Sequence, residues 1–223
     1  MIHLYLYKKV NFSSDVYKYL LSYVSNYSQK SILQKSTYKE KCTSLADDFL
    51  LRELVYKNYG FRYSRKEIIT NNFGKPVFRN KKKYYFNFSH SDKHGAIVLG
   101  ENPVGVDVEE IENINMKTKI VFLSDQELSS KHGTKLSLCK LWTAKESYCK
   151  ATGYGLNIPL KEIDVTKIGS DFRVSYGEEK SQDWFVKHIV FSGKTVIAVC
   201  SNNQFLLKHN KVSLTEFLSG IIK

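Results

Sequence analysis

Val104-Gly105-Val106-Asp107-Val108-Glu109 lies near the middle of the chain and alternates valine with a glycine and two carboxylates. Side chains on a β-strand repeat with period two, so the valines share one face and Gly105, Asp107 and Glu109 the other. Two acids on one face of a strand repel, and each raises the other's pKa until a cation relieves the pair. A strand with a solvated acidic face is the plain alternative, and the motif alone does not separate the two. The stretch Leu141-Trp142-Thr-Ala-Lys145-Glu146-Ser-Tyr-Cys-Lys150 does. It belongs to a long helix expected over 136–152, stopped by Gly153. Glu146 stands one turn from both Trp142 and Lys150, so the three share a face. A bare Glu146–Lys150 surface pair would contribute only ~0.3–0.5 kcal/mol, and it needs neither Trp142 beside it nor Lys145 before it.

Asp107, Glu109 and Glu146 together form the oxygen-rich set that a hard divalent cation prefers, and Mg²⁺ completes such a set with water and substrate phosphate. Lys145 and Lys150 beside it point to that phosphate. In the first half, Phe86-Asn-Phe-Ser89-His90-Ser91 closes a strand with hydroxyl and imidazole groups able to donate to phosphate, and Gly74-Lys75-Pro76 is a rigid turn displaying a lysine. No G-x-S-x-G elbow accompanies Ser89 and His90, which argues against a serine hydrolase.

The 223 residues divide around the turn cluster Gly100-Glu-Asn-Pro103. Residues 1–103 read as an N-terminal half for nucleotide contacts, and 104–223 as a C-terminal half carrying the acids. Strands are expected over 2–6, 84–89 and 95–99 in the first half, with helices over 15–27 and 45–59. The second half repeats the plan, with strands over 104–108, 163–165, 172–176, 184–191 and 195–200. Its helices are expected near 125–129, over 136–152 and over 214–221. Each half carries one long apolar helix ending at glycine. The fold class is therefore α/β (α+β), with two similar halves and a cleft between them.

The net charge is +12. The first half carries +10 of it, which suits a polyanionic partner as well as a solvated lysine-rich surface. The four cysteines form no CxxC pair, and free buried thiols in a reducing compartment are expected. No apolar run approaches a membrane span, and the N-terminus lacks a signal-peptide layout. The chain reads as cytoplasmic, with no membrane partner.

In order and spacing, Gly74-Lys75-Pro76, Phe86-Asn-x-Ser89-His90-Ser91, Gly105-x-Asp107-x-Glu109 and Trp142-Thr-x-Lys145-Glu146-Ser-x-x-Lys150-x-x-Gly153-x-Gly155-Leu156 resemble the 4′-phosphopantetheinyl transferases of the surfactin-synthetase-activating type. The resemblance implies a monomeric single-chain pseudodimer with its active site in the cleft between the halves. It also implies transfer of 4′-phosphopantetheine from coenzyme A to a serine of an apo acyl or peptidyl carrier protein. Adenosine 3′,5′-bisphosphate would leave. Asp107, Glu109 and Glu146 would hold Mg²⁺, with Mn²⁺ as a substitute. Lys75, Ser89, His90, Lys145 and Lys150 would contact coenzyme A, and Glu127 would lie near the site. The family's basic residues before the first long helix have no arginine counterpart here. Lys30, Lys35 and Ser44 are the candidates for the nucleotide.

The carrier serine needs a base. Glu146 is the first candidate, and a metal-bound water is the alternative. Lys145 and Lys150 would stabilise charge on the transferred group. The segment 111–123 is the expected docking edge for the carrier. Two other functions compete: a nucleic-acid-binding protein using the basic half and its tyrosines, and a Mg²⁺-dependent phosphohydrolase using the same acids. The first should bind nucleic acid without coenzyme A, and the second should hydrolyse without an acceptor.

Overall fold

A computed structural model describes residues 1–24, 26–80, 83–130, 133–177 and 183–221. The first half runs β1 (Ile2–Lys8), α1 (Ser14–Tyr23), α2 (Asn26–Leu33), α3 (Tyr38–Tyr59), β2 (Ile68–Thr70), β3 (Pro76–Phe78), β4 (Tyr85–His90) and β5 (His94–Gly100). There follow β6 (Val104–Glu110), α4 (Lys119–Phe122), α5 (Asp125–Ser129), α6 (Lys135–Thr152), β7 (Ile163–Ile168) and β8 (Asp171–Tyr176). The chain closes with β9 (Trp184–Phe191), β10 (Thr195–Ser201), β11 (Leu207–Val212) and α7 (Leu214–Ile221). The fold is mixed α+β, as expected.

Two sheets carry the architecture, ordered β11-β1-β5-β4 and β6-β10-β9-β8-β7. Their strands alternate strictly. Leu4, Leu6, Ala96 and Val98 of the first sheet meet Val104, Val106, Val108, Ile197 and Val199 of the second in one buried cluster. Tyr5, Tyr7, Ile97 and Leu99 face the other way, onto Leu45, Phe49 and Leu50 of α3. On the far side of the second sheet, Ala198, Cys200 and Val186 pack with Ala144 and Tyr148 of α6. Strands buried on both faces read as apolar runs, and here each run is divided between two clusters by its period.

The edge of one sheet meets the edge of the other through side chains. Asn87 Oδ1 of β4 accepts Val106 N at 3.0 Å, and Ser89 Oγ accepts Val108 N at 3.2 Å. Side-chain oxygens thus satisfy strand amides that would otherwise be buried without partners. Glu110 ties the same junction together. It accepts from Ser91 Oγ at 2.9 Å and Thr195 Oγ1 at 2.7 Å, with His94 Nδ1 at 3.0 Å. Burial acts to raise its pKa, but hydrogen bonds from Thr195, His94 and Ser91 outweigh this and lower it.

Four expectations change. The helix expected over 15–27 ends at Tyr23, where Val24 turns extended, and α2 follows as a separate helix. The helix expected over 45–59 begins at Tyr38, because Thr37 and Glu40 form a reciprocal capping box. Ser44 is therefore inside α3, not before it. The long helix of the second half, expected over 136–152, begins at Lys135 and ends on Gly153 in the left-handed conformation, φ 80°. Strand β11 was not expected, and it pairs in parallel with β1 from Ile2↔Leu207 to Tyr7↔Val212. With Leu214 and Leu218 in the first half's core, the chain's end returns to that half.

Gly105 is the tightest point in the packing of α6 on β6. A Cβ built there overlaps the backbone of Ser147 and Ala151. The helix therefore lies against the strand's bare backbone, which sets how far Glu146 and Lys150 stand from Asp107. Overpacking typically costs 1–3 kcal/mol, and here the obstacle is backbone. Gly105→Ala should lower unfolding free energy by about 3 kcal/mol, measured by urea denaturation. Wild-type stability in that variant would show that the helix is not seated as described.

Candidate active site

Strand β6 presents Asp107 and Glu109 toward α6, and the close approach at Gly105 brings Lys150 to them. Asp107 is buried; its Oδ1 accepts from Lys150 Nζ at 2.6 Å and from Ser89 Oγ at 2.9 Å. Lys150 Nζ donates also to Ser89 Oγ at 3.0 Å. Donors from helix α6 and from strand β4 of the other sheet thus converge on one carboxylate oxygen of β6. The other oxygen, Asp107 Oδ2, is buried and has no hydrogen-bond partner among the described residues. An orphaned buried carboxylate oxygen is costly, and it marks a place for a cation or donor.

The neighbouring acids carry the same strain. Burial, then the Asp107 charge, pushes the Glu109 carboxyl up to about 7; Lys150 and a hydrogen bond with Trp142 oppose this, and Glu146 adds to it. Burial, then Asp107, raises Glu146, with Lys150 opposing. The three acids feel one another, yet among the described residues no three His, Cys, Asp or Glu side chains are grouped closely enough to hold a metal. The expected three-carboxylate set is therefore near but not assembled: the Lys150 ammonium supplies Asp107 with its counter-charge. The acids still fit a hard cation, because Asp107 Oδ2 is unsatisfied and the cluster is short of positive charge.

Two of the expected phosphate-binding lysines are turned elsewhere. Lys145 is fully buried, and its Nζ donates to Glu127 Oε2 at 2.6 Å, Phe122 O at 2.7 Å and Leu160 O at 3.0 Å. An ammonium has three donors, and all three are used. The structure therefore places the Lys145 ammonium away from the residues expected to meet coenzyme A. It lies outside the helix face carrying Glu146 and Lys150, and its role is to brace α6 against α4 and the segment before β7. Burial lowers its pKa, with Glu127 opposing. Glu127 is the matching anion. Its Oε2 accepts Ser124 N at 2.9 Å and its Oε1 accepts Val165 N at 3.3 Å. Removing one member of a buried pair strands the other, at roughly 3–5 kcal/mol. Glu127→Ala should lose stability on that scale in thermal or urea unfolding, and an unchanged midpoint would contradict the bracing role.

Lys75 is the second case. Its Nζ donates to Val104 O at 3.1 Å and Ala151 O at 2.9 Å, so it caps the last turn of α6 and joins it to β6. The turn that carries it is built by Asn71, whose Oδ1 accepts Phe73 N at 2.9 Å and Lys75 N at 2.8 Å. Asn71 Nδ2 donates to Gly153 O at 3.0 Å. Asn71 escaped the sequence reading, since the only local signal was a polar residue preceding Gly74-Lys75-Pro76. Burial lowers the Lys75 pKa to about 8. Between pH 8 and the unfolded value of 10.5 the unfolded chain then holds more protons, so stability from this residue rises with pH across that window. Against a Lys75→Met variant, wild-type unfolding free energy should climb as pH increases through the window. A pH-independent difference would contradict the buried placement.

The remaining candidates lie in the first half. Ser44 lines a cavity of about 210 Å³ together with Lys35, Asp47 and Pro76. Lys30 is exposed on α2 and lines none of it. His90 Nε2 is 2.8 Å from Asp47 Oδ2, with one-third of the side chain exposed. Asp47 was also missed, since it interrupts an otherwise apolar stripe of α3.

A mixed α+β protein with buried acids facing lysine across a sheet junction is the class that fold and site define. Residues 103–200 match the family model described as the 4′-phosphopantetheinyl transferase superfamily, and this span contains β6, α6 and β10. Among curated proteins, the chain is 31% identical over 157 residues to the 4′-phosphopantetheinyl transferase gsp of Aneurinibacillus migulanus, covering 68% of this chain and 65% of that relative. It is 28% identical over 188 residues to the 4′-phosphopantetheinyl transferase ffp of Bacillus subtilis, covering 82% and 84%. It is 29% identical over 137 residues to the 4′-phosphopantetheinyl transferase Sfp of Bacillus subtilis, covering 59% and 61%. Matches to the first and third thus span just under two thirds of those relatives' lengths. Residues 103–200 thus carry the 4′-phosphopantetheinyl transferase superfamily match, and the chain is similar to named transferases of that kind.

Proposed function

We propose that this chain transfers 4′-phosphopantetheine from coenzyme A to a serine of an apo acyl or peptidyl carrier protein, releasing adenosine 3′,5′-bisphosphate. The family-model match over residues 103–200 and the similarity to named transferases support the reaction class. The observation that carries the placement is the Asp107–Lys150–Ser89 cluster with its unsatisfied carboxylate oxygen. We propose further that the two α/β halves act as a single-chain pseudodimer and that the protein works as a cytoplasmic monomer. No helix among the described residues is long and apolar enough to cross a membrane.

Asp107, Glu109 and Glu146 would hold Mg²⁺, which when bound supplies positive charge to the coenzyme A diphosphate. The protein's own groups do the rest. Lys150 is part-exposed beside Asp107 and Ser89, and its ammonium stabilises charge on non-bridging phosphate oxygens. Glu146 is the first candidate for the base that takes the carrier serine's proton, in the state where it is not held by the metal, and a metal-bound water is the alternative. His90 anchors the nucleotide from the first half, beside the cavity lined by Ser44 and Lys35. Lys75 and Lys145 act by seating the Gly74-Lys75-Pro76 turn and helix α6.

The basic first half suits both the nucleotide and an acidic carrier. Ile120 and Val121, largely exposed between Lys117, Lys119 and α5, supply the apolar part of the expected docking edge.

Incubating the protein with coenzyme A, Mg²⁺ and several apo-carriers should add one phosphopantetheine to a carrier serine, read by mass spectrometry. Asp107→Ala and Glu146→Ala should each reduce turnover by at least about a hundredfold while circular dichroism stays native. Near-normal turnover in either variant at saturating Mg²⁺ would overturn the site assignment. Hydrolysis of coenzyme A without a carrier would point instead to a phosphohydrolase.

A further inference from the structure

We infer that Asp47 is a positioning residue for His90, the last link of a Tyr7–Asp47–His90 chain that presents the imidazole to a phosphate group of the nucleotide. Asp47 projects from α3 and is 9% exposed. Its Oδ1 accepts the Tyr7 hydroxyl at 2.6 Å, and its Oδ2 lies 2.8 Å from His90 Nε2. A carboxylate can only accept, so Nε2 carries the hydrogen. The other nitrogen, Nδ1, has no partner among the described residues, in a side chain one-third exposed. A neutral ring with hydrogen on Nε2 leaves a lone pair on Nδ1, which repels phosphate. A protonated ring donates there. A ring that meets Asp47 at Nε2 and phosphate at Nδ1 donates from both nitrogens, and the Asp47 hydrogen bond fixes the ring's direction.

The fold builds this chain deliberately across three elements. Tyr7 of β1 is buried and faces Gly95 across the sheet, where any Cβ would overlap its ring. Glycine thus lets the tyrosine reach α3. The other charges around the pair are balanced. On α3, Asp48 is paired with Arg52 at 3.0 Å, and Lys39 and Glu40 stand at the helix start. Beyond β1, Lys9 feels Lys39, Asp92, Asp47 and Glu40, while its Nζ donates to Ser91 O at 3.0 Å. Asp47 alone among them touches the His90 ring.

The inference rests on the proposed function only for the identity of the phosphate, which is either the 3′-phosphate or the diphosphate of coenzyme A. Nitrogen-15 NMR of the His90 ring in the free protein should show a hydrogen-bonded Nε2–H, and Asp47→Ala should move that nitrogen's signal toward the value of a solvent-exposed ring. In transfer assays, Asp47→Ala should raise KM for coenzyme A about tenfold with little change in kcat, the loss expected for one hydrogen bond to a charged group. Tyr7→Phe should give a smaller rise, and Asp47→Glu should recover part of the loss. In a His90→Ala background, Asp47→Ala should add nothing. If dephospho-coenzyme A is insensitive to Asp47→Ala, the phosphate is the 3′ group; equal sensitivity identifies the diphosphate. An unchanged ring signal, or additive effects of the Asp47 and His90 variants, overturns the inference. If the wild type transfers nothing, the proposed function falls, and the ring signal alone decides the role of Asp47.

Discussion

The close approach of α6 to β6 at Gly105 is the constraint on which the site depends. A helix resting directly on strand backbone has no side chain to hold it away, so its facing residues come within hydrogen-bond range of the strand's. Lys150 reaches Asp107 at 2.6 Å because of that contact. Around it, two lysines, one fully buried and one half-buried, hold the helix in place. Lys145 fastens it to α4 and to the segment before β7, and Lys75 fastens its last turn to β6 and the first half. Lys145 has all three donors engaged and Lys75 two, so both ammonium groups are tied to the fold itself.

The resulting electrostatics follow from burial without full compensation. Asp107, Glu109 and Glu146 are drawn from water onto one side of a sheet, and Lys150 is the nearest cation to offset them. One cation against three carboxylates leaves raised pKa values on Glu109 and Glu146 and an unsatisfied oxygen on Asp107. Such a centre is poised to accept positive charge, and phosphate can join it only together with that charge. The first half is arranged oppositely. It offers a lysine-rich surface, with the His90 imidazole held by an acid at the cavity's edge.

Much of this was legible along the chain. Period-two alternation in 104–109 gave the face of Asp107 and Glu109, and glycine after an apolar helix gave the end of α6 at Gly153. Strand β9 and helix α7 were readable to the residue, because each is bounded by turn residues and carries one clear period. Strand β11 was not, since Leu-Lys-His-Asn-Lys-Val is polar, and it becomes a strand only by pairing with β1. The start of α3 was missed because the apolar stripe begins later than the capping box that nucleates the helix.

By itself the sequence determined which residue types could meet: carboxylates on one strand face, and a carboxylate and lysine one turn apart. Only the tertiary structure decided which charges face the ligand. Lys145 and Lys150 are five residues apart on one helix, yet the first points into the protein and the second toward Asp107. That difference is set by the helix's rotation on its sheet. Rotation is fixed by contacts from elements far away in sequence, and no local pattern encodes it. Asp47 and Asn71 tell the same story, being ordinary polar residues until folding places His90 and Gly153 beside them.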